Sequence, residues 1–290
     1  MGHNHSHSGS DGNRKNILIA FFLNASFAII ELIGGFYTNS IAIMSDALHD
    51  FGDSLALLFS YFAEKLSDKD PDKKYTFGYR RFSILAALVN GGILLAGSVF
   101  VIFEAIGRIQ SPEEVKAEGM VWLAILGISV NSYAAWRLSK NSGVNMKMIM
   151  LHLLEDLFGW VAVLIVSIIL LFKPWFVLDA VLSILISAII LRGVYKNLKK
   201  VFIILLQHFP SELEIGEIKN KIEEFSGVEN IHEIKGWSLD DEHHYLRFHV
   251  KVSPEMEMKS VDKIKIEIKN LLQTYNVTYS SIEFESSGCE

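Results

Sequence analysis

Residues 45–53 read Ser45-Asp46-Ala47-Leu48-His49-Asp50-Phe51-Gly52-Asp53. They lie inside an apolar run over 41–64 that is long enough to cross a bilayer as a helix. At about 100° per residue, Asp46, His49, Asp50 and Asp53 share an arc of roughly 100° on one helix face. Leu, Ala, Ile and Phe fill the other faces. A charged side chain at the centre of a bilayer costs about 2.5–3.5 kcal/mol even on the most lenient scale. Such a cluster therefore needs a compensating group: a partner helix, trapped water or a bound cation.

Outward from this stretch, the chain reads as membrane protein. Half of its 290 residues are hydrophobic and the mean hydropathy is +0.30. Six apolar runs, over 17–37, 41–64, 82–104, 119–138, 146–172 and 174–194, each meet the length of about 20 residues that a spanning helix needs. The first begins just after Arg14 and Lys15 but has no small-residue cleavage site, so it reads as a retained span and not a signal peptide. Fifteen Lys and Arg residues fall on the side of the termini and the loops after spans two and four, against Arg108, Lys116 and Lys173 on the other. The excess of cationic loops predicts that both termini are cytoplasmic.

Three sections follow: a His-containing tail over 1–16, six membrane helices over 17–209 and a soluble section over 210–290. The first is polar and predicted to be disordered, with His3, His5 and His7 either capturing metal weakly or inert. From Ser211 onward 9 Lys and Arg face 17 Asp and Glu, a net of −8, whereas the rest of the chain has 18 against 16. The acidic section changes period from helix to strand and back. It reads as helix 211–225, strands 228–238 and 243–253, helix 259–275 and strand 277–285. That order, αββαβ, predicts a small α+β cytoplasmic domain of ferredoxin-like type. No basic stripe marks a nucleic-acid surface. The only cysteine is Cys289, so the chain forms no internal disulfide and no Cys-rich zinc module.

The fifth apolar run repeats the spacing of the second: His152 and Asp156 match His49 and Asp53, four residues apart on one helix face. Two such helices face to face would present two imidazoles and two carboxylates. That set suits tetrahedral Zn2+ and suits Mg2+, an octahedral oxygen-seeking ion, poorly. A single pair could equally be a hydrogen-bond network between helices. Asp46, Asp50 and Glu155, on the same faces, either orient the imidazoles or attract cations along the entry path. Glu31, Asn90, Glu104 and Asp179 read as interhelical bonds or caps. Neither His-Glu-x-x-His nor a phosphate-binding Gly-x4-Gly-Lys-Ser/Thr loop is present, which argues against a metalloprotease and against ATP-driven transport.

The stretch 45–53, the repeat at 152–156, six spans and the αββαβ tail together resemble the cation diffusion facilitator family in its zinc-type branch. Phe77-Gly78-Tyr79-Arg80-Arg81, Leu85-Ala86-Ala87-Leu88-Val89-Asn90, Glu104-Ala105 with Arg108-Ile109, Asp179 and Ile231-His232-x-Ile234-x-x-Trp237 extend the likeness over nearly the whole chain. The resemblance implies a homodimeric exporter of divalent metal, working by exchange against protons, with a tail that binds metal and pairs the protomers. The expected cargo is Zn2+, with Cd2+, Co2+ and Ni2+ open. His49, Asp53, His152 and Asp156 are the expected transport ligands. In the tail, His232, His249, Glu283 and Glu285 are candidates for a second site, or else simply solvated. Some members carry His-x3-His on the loop after span two; here Tyr75 and Tyr79 stand there, leaving only Asp68, Asp70 and Asp72 for a weak ion. His243 and His244 are weaker candidates. A short loop between spans four and five, without a His cluster, points to a bacterial inner membrane.

Overall fold

The computed structural model describes residues 8–67, 69, 71–138 and 144–286, with side chains over 18–63, 65–66, 69, 71–136 and 153–286. His3, His5, His7, Asp68, Asp70 and Cys289 lie outside them, as does the side chain of His152. Six long helices come first: α1 Ser8–Thr38, α2 Ile41–Ser67, α3 Arg81–Gln110, α4 Ala117–Leu138, α5 Val144–Phe172 and α6 Val177–Leu205. The backbone over 8–16, polar and expected to be disordered, is helical and continuous with the first span. α6 runs to Leu205, past the end of its apolar run at 194, carrying Lys196, Lys199 and Lys200 within the helix.

Among the described residues, five helices are long and apolar enough to cross a membrane: Leu18–Thr38, Arg81–Gln110, Ala117–Trp136, Leu153–Phe172 and Val177–Leu205. The protein is a multi-pass membrane protein. α2 has the length, at 27 residues, but not the composition, because Asp46, Asp50 and Asp53 interrupt its apolar run. The chain groups into two compact units, one of residues up to 65 with 86–198, the other of 66–85 with 199–290. The loop joining α2 to α3 thus belongs with the tail, as does the end of α6.

In the helical unit, α1 and α2 meet in a turn that the chain builds from Thr38, Asn39 and Ser40. Asn39 takes the left-handed conformation (φ 57°), which a short polar side chain tolerates at a helix end. Arg108 of α3 donates to its carbonyl at 2.6 Å and to its Oδ1 at 2.9 Å. Small residues let the helices close up. Leu94 of α3 seats against Gly52 of α2, and Leu48 of α2 seats against Gly97 of α3, so that a Cβ on either glycine would fall 2.3 Å from a leucine methyl. The Trp160 ring on α5 covers Gly127 of α4 in the same way. Around Trp160 a buried apolar cluster forms from Ala42 and Ile43 of α2, Met120 and Ala124 of α4, Val163 and Leu170 of α5 and Leu182 of α6.

The tail consists of α7 Ile215–Glu223, β1 Val228–Ser238, β2 His244–Val252, α8 Met258–Thr274 and β3 Val277–Glu285. The sheet order is β1-β2-β3, with β1 antiparallel and β3 parallel to β2. The β2–α8–β3 crossover supplies the helix that a parallel pair requires. Ile218, Ile222, Val261, Ile264, Ile268 and Leu272 of the helices bury one face of the sheet with Leu246, Phe248 and Val250. The period of two then sends Tyr245, Arg247, His249 and Lys251 to the opposite face.

Candidate functional site

α2 presents its ionisable face in two directions. Asp46, His49 and Asp53 line a cavity of about 680 Å³ together with Asn90 of α3 and Glu155 and Asp156 of α5; apolar residues of all four helices α2, α3, α5 and α6, with Asn197 of α6, form the rest of the wall. His49 Nε2 stands 3.8 Å from Asp53 Oδ2, one helical turn away. Three of the four expected ligands, His49, Asp53 and Asp156, therefore meet at one cavity. The fourth, His152, is on α5 one turn before Asp156, and its side chain lies outside the described residues. The set offers imidazole nitrogen and carboxylate oxygen, the donors that borderline divalent cations favour.

Asp50 is absent from the cavity lining. It is buried, and its carboxyl group lies against that of Glu31 on α1. Glu31 is 1 % exposed, and no amide, hydroxyl or cationic group among the described residues bonds either of its carboxyl oxygens. Helical period alone placed Asp50 with the other three; only the packing of α1 on α2 separates it from them. Of the remaining polar groups, Asn90 joins the cavity wall and Glu104 pairs with Arg108 at 3.5 Å. Asp179 of α6 caps α2, accepting from Ser40 Oγ at 2.5 Å and from the Ile41 amide at 2.7 Å. Asp179 thus fills the capping role expected of it, whereas Glu104 pairs within its own helix and, among the described residues, neither bridges helices nor caps one.

The tail candidates also come together. On the face away from α7 and α8, His232 pairs with His249 across β1 and β2, and His249 with Glu283 across β2 and β3. A bulge after His232, where Glu233 has φ 51°, sets the local register. His232 Nε2 lies 2.7 Å from Glu285 Oε1, His249 Nε2 3.3 Å from Glu283 Oε2, and His249 Nδ1 3.5 Å from Glu285 Oε2. Ligand atoms of His232, His249 and Glu285 all fall within 4.8 Å of one another, close enough to share an ion. Glu283 is also held by Arg247, at 2.9 Å from Nε.

His243 and His244 serve other ends. His243 Nδ1 sits 2.7 Å from Asp240 Oδ1 and 3.1 Å from Arg80 on the α2–α3 loop. His244 is buried beside Ser238, at 3.0 Å. Burial holds its pKa below the ordinary histidine value, against the opposing pull of Glu212 and Asp240. Asp72, considered above for a weak ion, is occupied: it accepts from the amides of Lys74 and Tyr75 and from the Tyr79 hydroxyl, each at 2.7 Å. These bonds, the Tyr79 hydroxyl foremost, lower its pKa below the usual carboxylate value. Phe77, in the same loop, packs edge-on against Tyr245 and Tyr279 of the sheet, at 5.8 and 6.0 Å.

A bundle of apolar helices with ionisable residues converging on an internal cavity is the architecture of a membrane transporter. Residues 17–206 match the model of the cation efflux transmembrane domain, and residues 210–285 that of the cation efflux protein cytoplasmic domain. The chain belongs to the cation efflux, or cation diffusion facilitator, family, whose members are transporters and not enzymes. Relatives include the cadmium, cobalt and zinc/H(+)-K(+) antiporter of Bacillus velezensis, 34% identical over 99% of this chain and 93% of that protein. The metal cation efflux system protein CzcD of Cupriavidus metallidurans is 34% identical, over 100% and 92% respectively. Zinc transporter ZitB of Escherichia coli is 33% identical, over 100% and 94%.

Proposed function

We propose that the protein exports a divalent cation, zinc foremost, across a bacterial inner membrane in exchange for protons. The observation that carries this reading is the cavity that gathers His49 and Asp53 from α2 with Asp156 from α5. With His152 it would hold the ion in an N2O2 set, four ligands being the number Zn2+ takes. The names of the relatives, which include zinc, cadmium, cobalt and proton exchange, support the cargo and the coupling. Exchange follows from the ligands themselves, since His and Asp must lose their protons to bind metal. Protons from the far side then displace the ion.

α2 counts as the sixth span. At about 1.5 Å per residue its 27 residues reach roughly 40 Å, more than the hydrocarbon thickness of about 30 Å. With six spans and the cationic loops on one side, both termini are cytoplasmic. α2 contributes to the cavity wall from Asp46 to Ala56 and α6 from Leu182 to Asn197, and the buried apolar cluster around Ile43 and Val163 shares Leu182 with that wall. The mechanism this reading implies is alternating access, with the cavity open to each face of the membrane in turn. The tail is a ferredoxin-like αββαβ domain that pairs two protomers and binds a second ion at His232, His249, Glu283 and Glu285; the matched cytoplasmic domain supports the pairing, and the clustering of His232, His249 and Glu285, with Glu283 3.3 Å from His249, supports the ion.

Reconstituted protein tests the reading. In proteoliposomes with a pH gradient, wild type moves Zn2+ and dissipates the gradient, whereas His49→Ala and Asp156→Ala do neither. Wild-type rates in both variants overturn the site assignment.

A further inference from the structure

Arg247 of β2 holds Glu283 of β3 by one oxygen only. Its Nε donates to Oε1 at 2.9 Å, and Nη2 lies 2.8 Å from the same atom. Both side chains are about half exposed, and an ion pair so exposed adds little to stability. What the pair does leave is Oε2, turned to His249 and 3.3 Å from its Nε2. His249 is 7 % exposed, and its two ring nitrogens meet different carboxylates. Nδ1 stands 3.5 Å from Glu285 Oε2, while Glu285 Oε1 reaches His232 Nε2 at 2.7 Å. The nitrogens of one imidazole point apart, so a single ion takes one of them and the other is left to a hydrogen bond. An ion shared with His232 and Glu285 meets His249 at Nδ1, the nitrogen on the side of Glu285. Glu283 is then behind the ring. The ligand atoms that fall within 4.8 Å of one another, among the described residues, are accordingly those of His232, His249 and Glu285.

We infer that Glu283 orients a ligand of the tail ion instead of being one: Arg247 fixes Glu283, Glu283 accepts from His249 Nε2, and His249 offers Nδ1 to the ion. This rests on the tail ion proposed above and refines it, leaving the ion in place and moving Glu283 behind His249. A metal-bound imidazole almost always donates its other N–H to a carboxylate, carbonyl or water, which fixes the tautomer and makes the coordinating nitrogen more basic. Without Glu283 the proton of His249 would be free to sit on Nδ1 and block the ion. The two bonds from the guanidinium fix where Oε2 points. On loading, the 3.3 Å approach shortens to a charge-assisted hydrogen bond. Arg247 and Glu283 are therefore positioning residues that act through His249.

Zinc binding to the full chain tests this, in a His49→Ala, Asp156→Ala background that clears the cavity and leaves the tail to be read by equilibrium dialysis. Glu285→Ala should abolish the bound zinc. Glu283→Ala and Arg247→Ala should each weaken it about 10–100-fold, the effect of losing a partner behind a ligand. The double variant should bind no more weakly than Glu283→Ala, because Arg247 acts only through Glu283. A Glu283→Ala protein that binds no zinc or binds it as wild type does, an unchanged or tighter affinity in Arg247→Ala, or losses that multiply in the double variant overturn the relay. Crystals of the wild-type chain soaked in zinc decide the matter without any substitution. The expected ion lies about 2.0–2.1 Å from His249 Nδ1, with Glu283 hydrogen-bonded to Nε2. An ion on Nε2, or one bonded to Glu283, overturns the relay and leaves the tail ion standing. A tail without zinc in these crystals overturns the tail ion, and the relay with it.

Discussion

Substituting Gly52 by alanine tests whether the site depends on how closely α2 and α3 approach. Gly52 stands between His49 and Asp53 in sequence, and a Cβ added there would lie 2.3 Å from Leu94 Cδ2 and 2.7 Å from Leu94 Cγ. Carbon atoms in contact settle at about 3.5–4.0 Å. Either Leu94 leaves its rotamer or α2 moves off α3 by about 1 Å. Overpacking of this kind costs about 1–3 kcal/mol, and the better helix propensity of alanine returns up to about 1 kcal/mol. The net expectation is a loss of up to about 3 kcal/mol, together with weaker zinc binding, since α2 carries two of the proposed ligands. Thermal unfolding in detergent and zinc titration measure the two effects. Leu94→Ala in the same chain removes the clash, so the double variant should be more stable than the two single losses added together. Gly92, with nothing within 4 Å of its would-be Cβ, provides the control, and Gly92→Ala should not destabilise. Gly52→Ala with wild-type melting and no coupling to Leu94 would refute the packing argument.

Other expectations concern groups away from that contact. Removing both tail imidazoles, His232→Ala with His249→Ala, should lower the zinc bound per chain at equilibrium dialysis while the ion held by α2 and α5 remains; undiminished binding contradicts the tail site. The buried His244 favours its neutral form in the fold, so the unfolded chain binds more protons. Its contribution is full above about pH 6.5 and is lost as pH falls through the depressed folded value. The protection factors of β2 amides, with the intrinsic pH dependence of exchange divided out, should accordingly fall between pH 7.5 and 5.5, less so in His244→Gln; an equal fall in both would exclude His244 as the cause. Glu31→Gln replaces a buried carboxyl group, which no amide, hydroxyl or cation bonds among the described residues, with an amide able to donate to Asp50. It should raise the melting temperature in detergent by the equivalent of about 1–3 kcal/mol, and a lower one contradicts the packing described.

The helices were legible because membrane spanning imposes a length on an apolar run, and the tail elements because burial imposes a period on each. His49, Asp53 and Asp156 could be found from spacing, since one helical turn brings a pair to one face whatever surrounds it. What spacing could not convey is which neighbour each face meets. Asp50 looked equivalent to Asp46 until α1 was seen to bring Glu31 against it. Asp72 looked available until the turn it closes used both of its oxygens. Asp179 is 138 residues from Ile41, and no local pattern connects a carboxyl group to a helix end so far away. The bulge at Glu233, which carries its own unusual φ, fixes the local register beside His232 and has no glycine to announce it. Nor did composition reveal that the loop 66–85 groups with the tail, because that depends on Phe77 finding Tyr245 and Tyr279.

The central claim is that one ion sits between α2 and α5. Anomalous scattering at the zinc edge, from crystals of the full chain soaked in zinc, measures this directly. The account predicts a peak in the cavity, about 2.0–2.2 Å from His49, Asp53, His152 and Asp156, which disappears in His49→Ala. Zinc in the tail with an empty cavity, or a cavity peak that persists in His49→Ala, would contradict it.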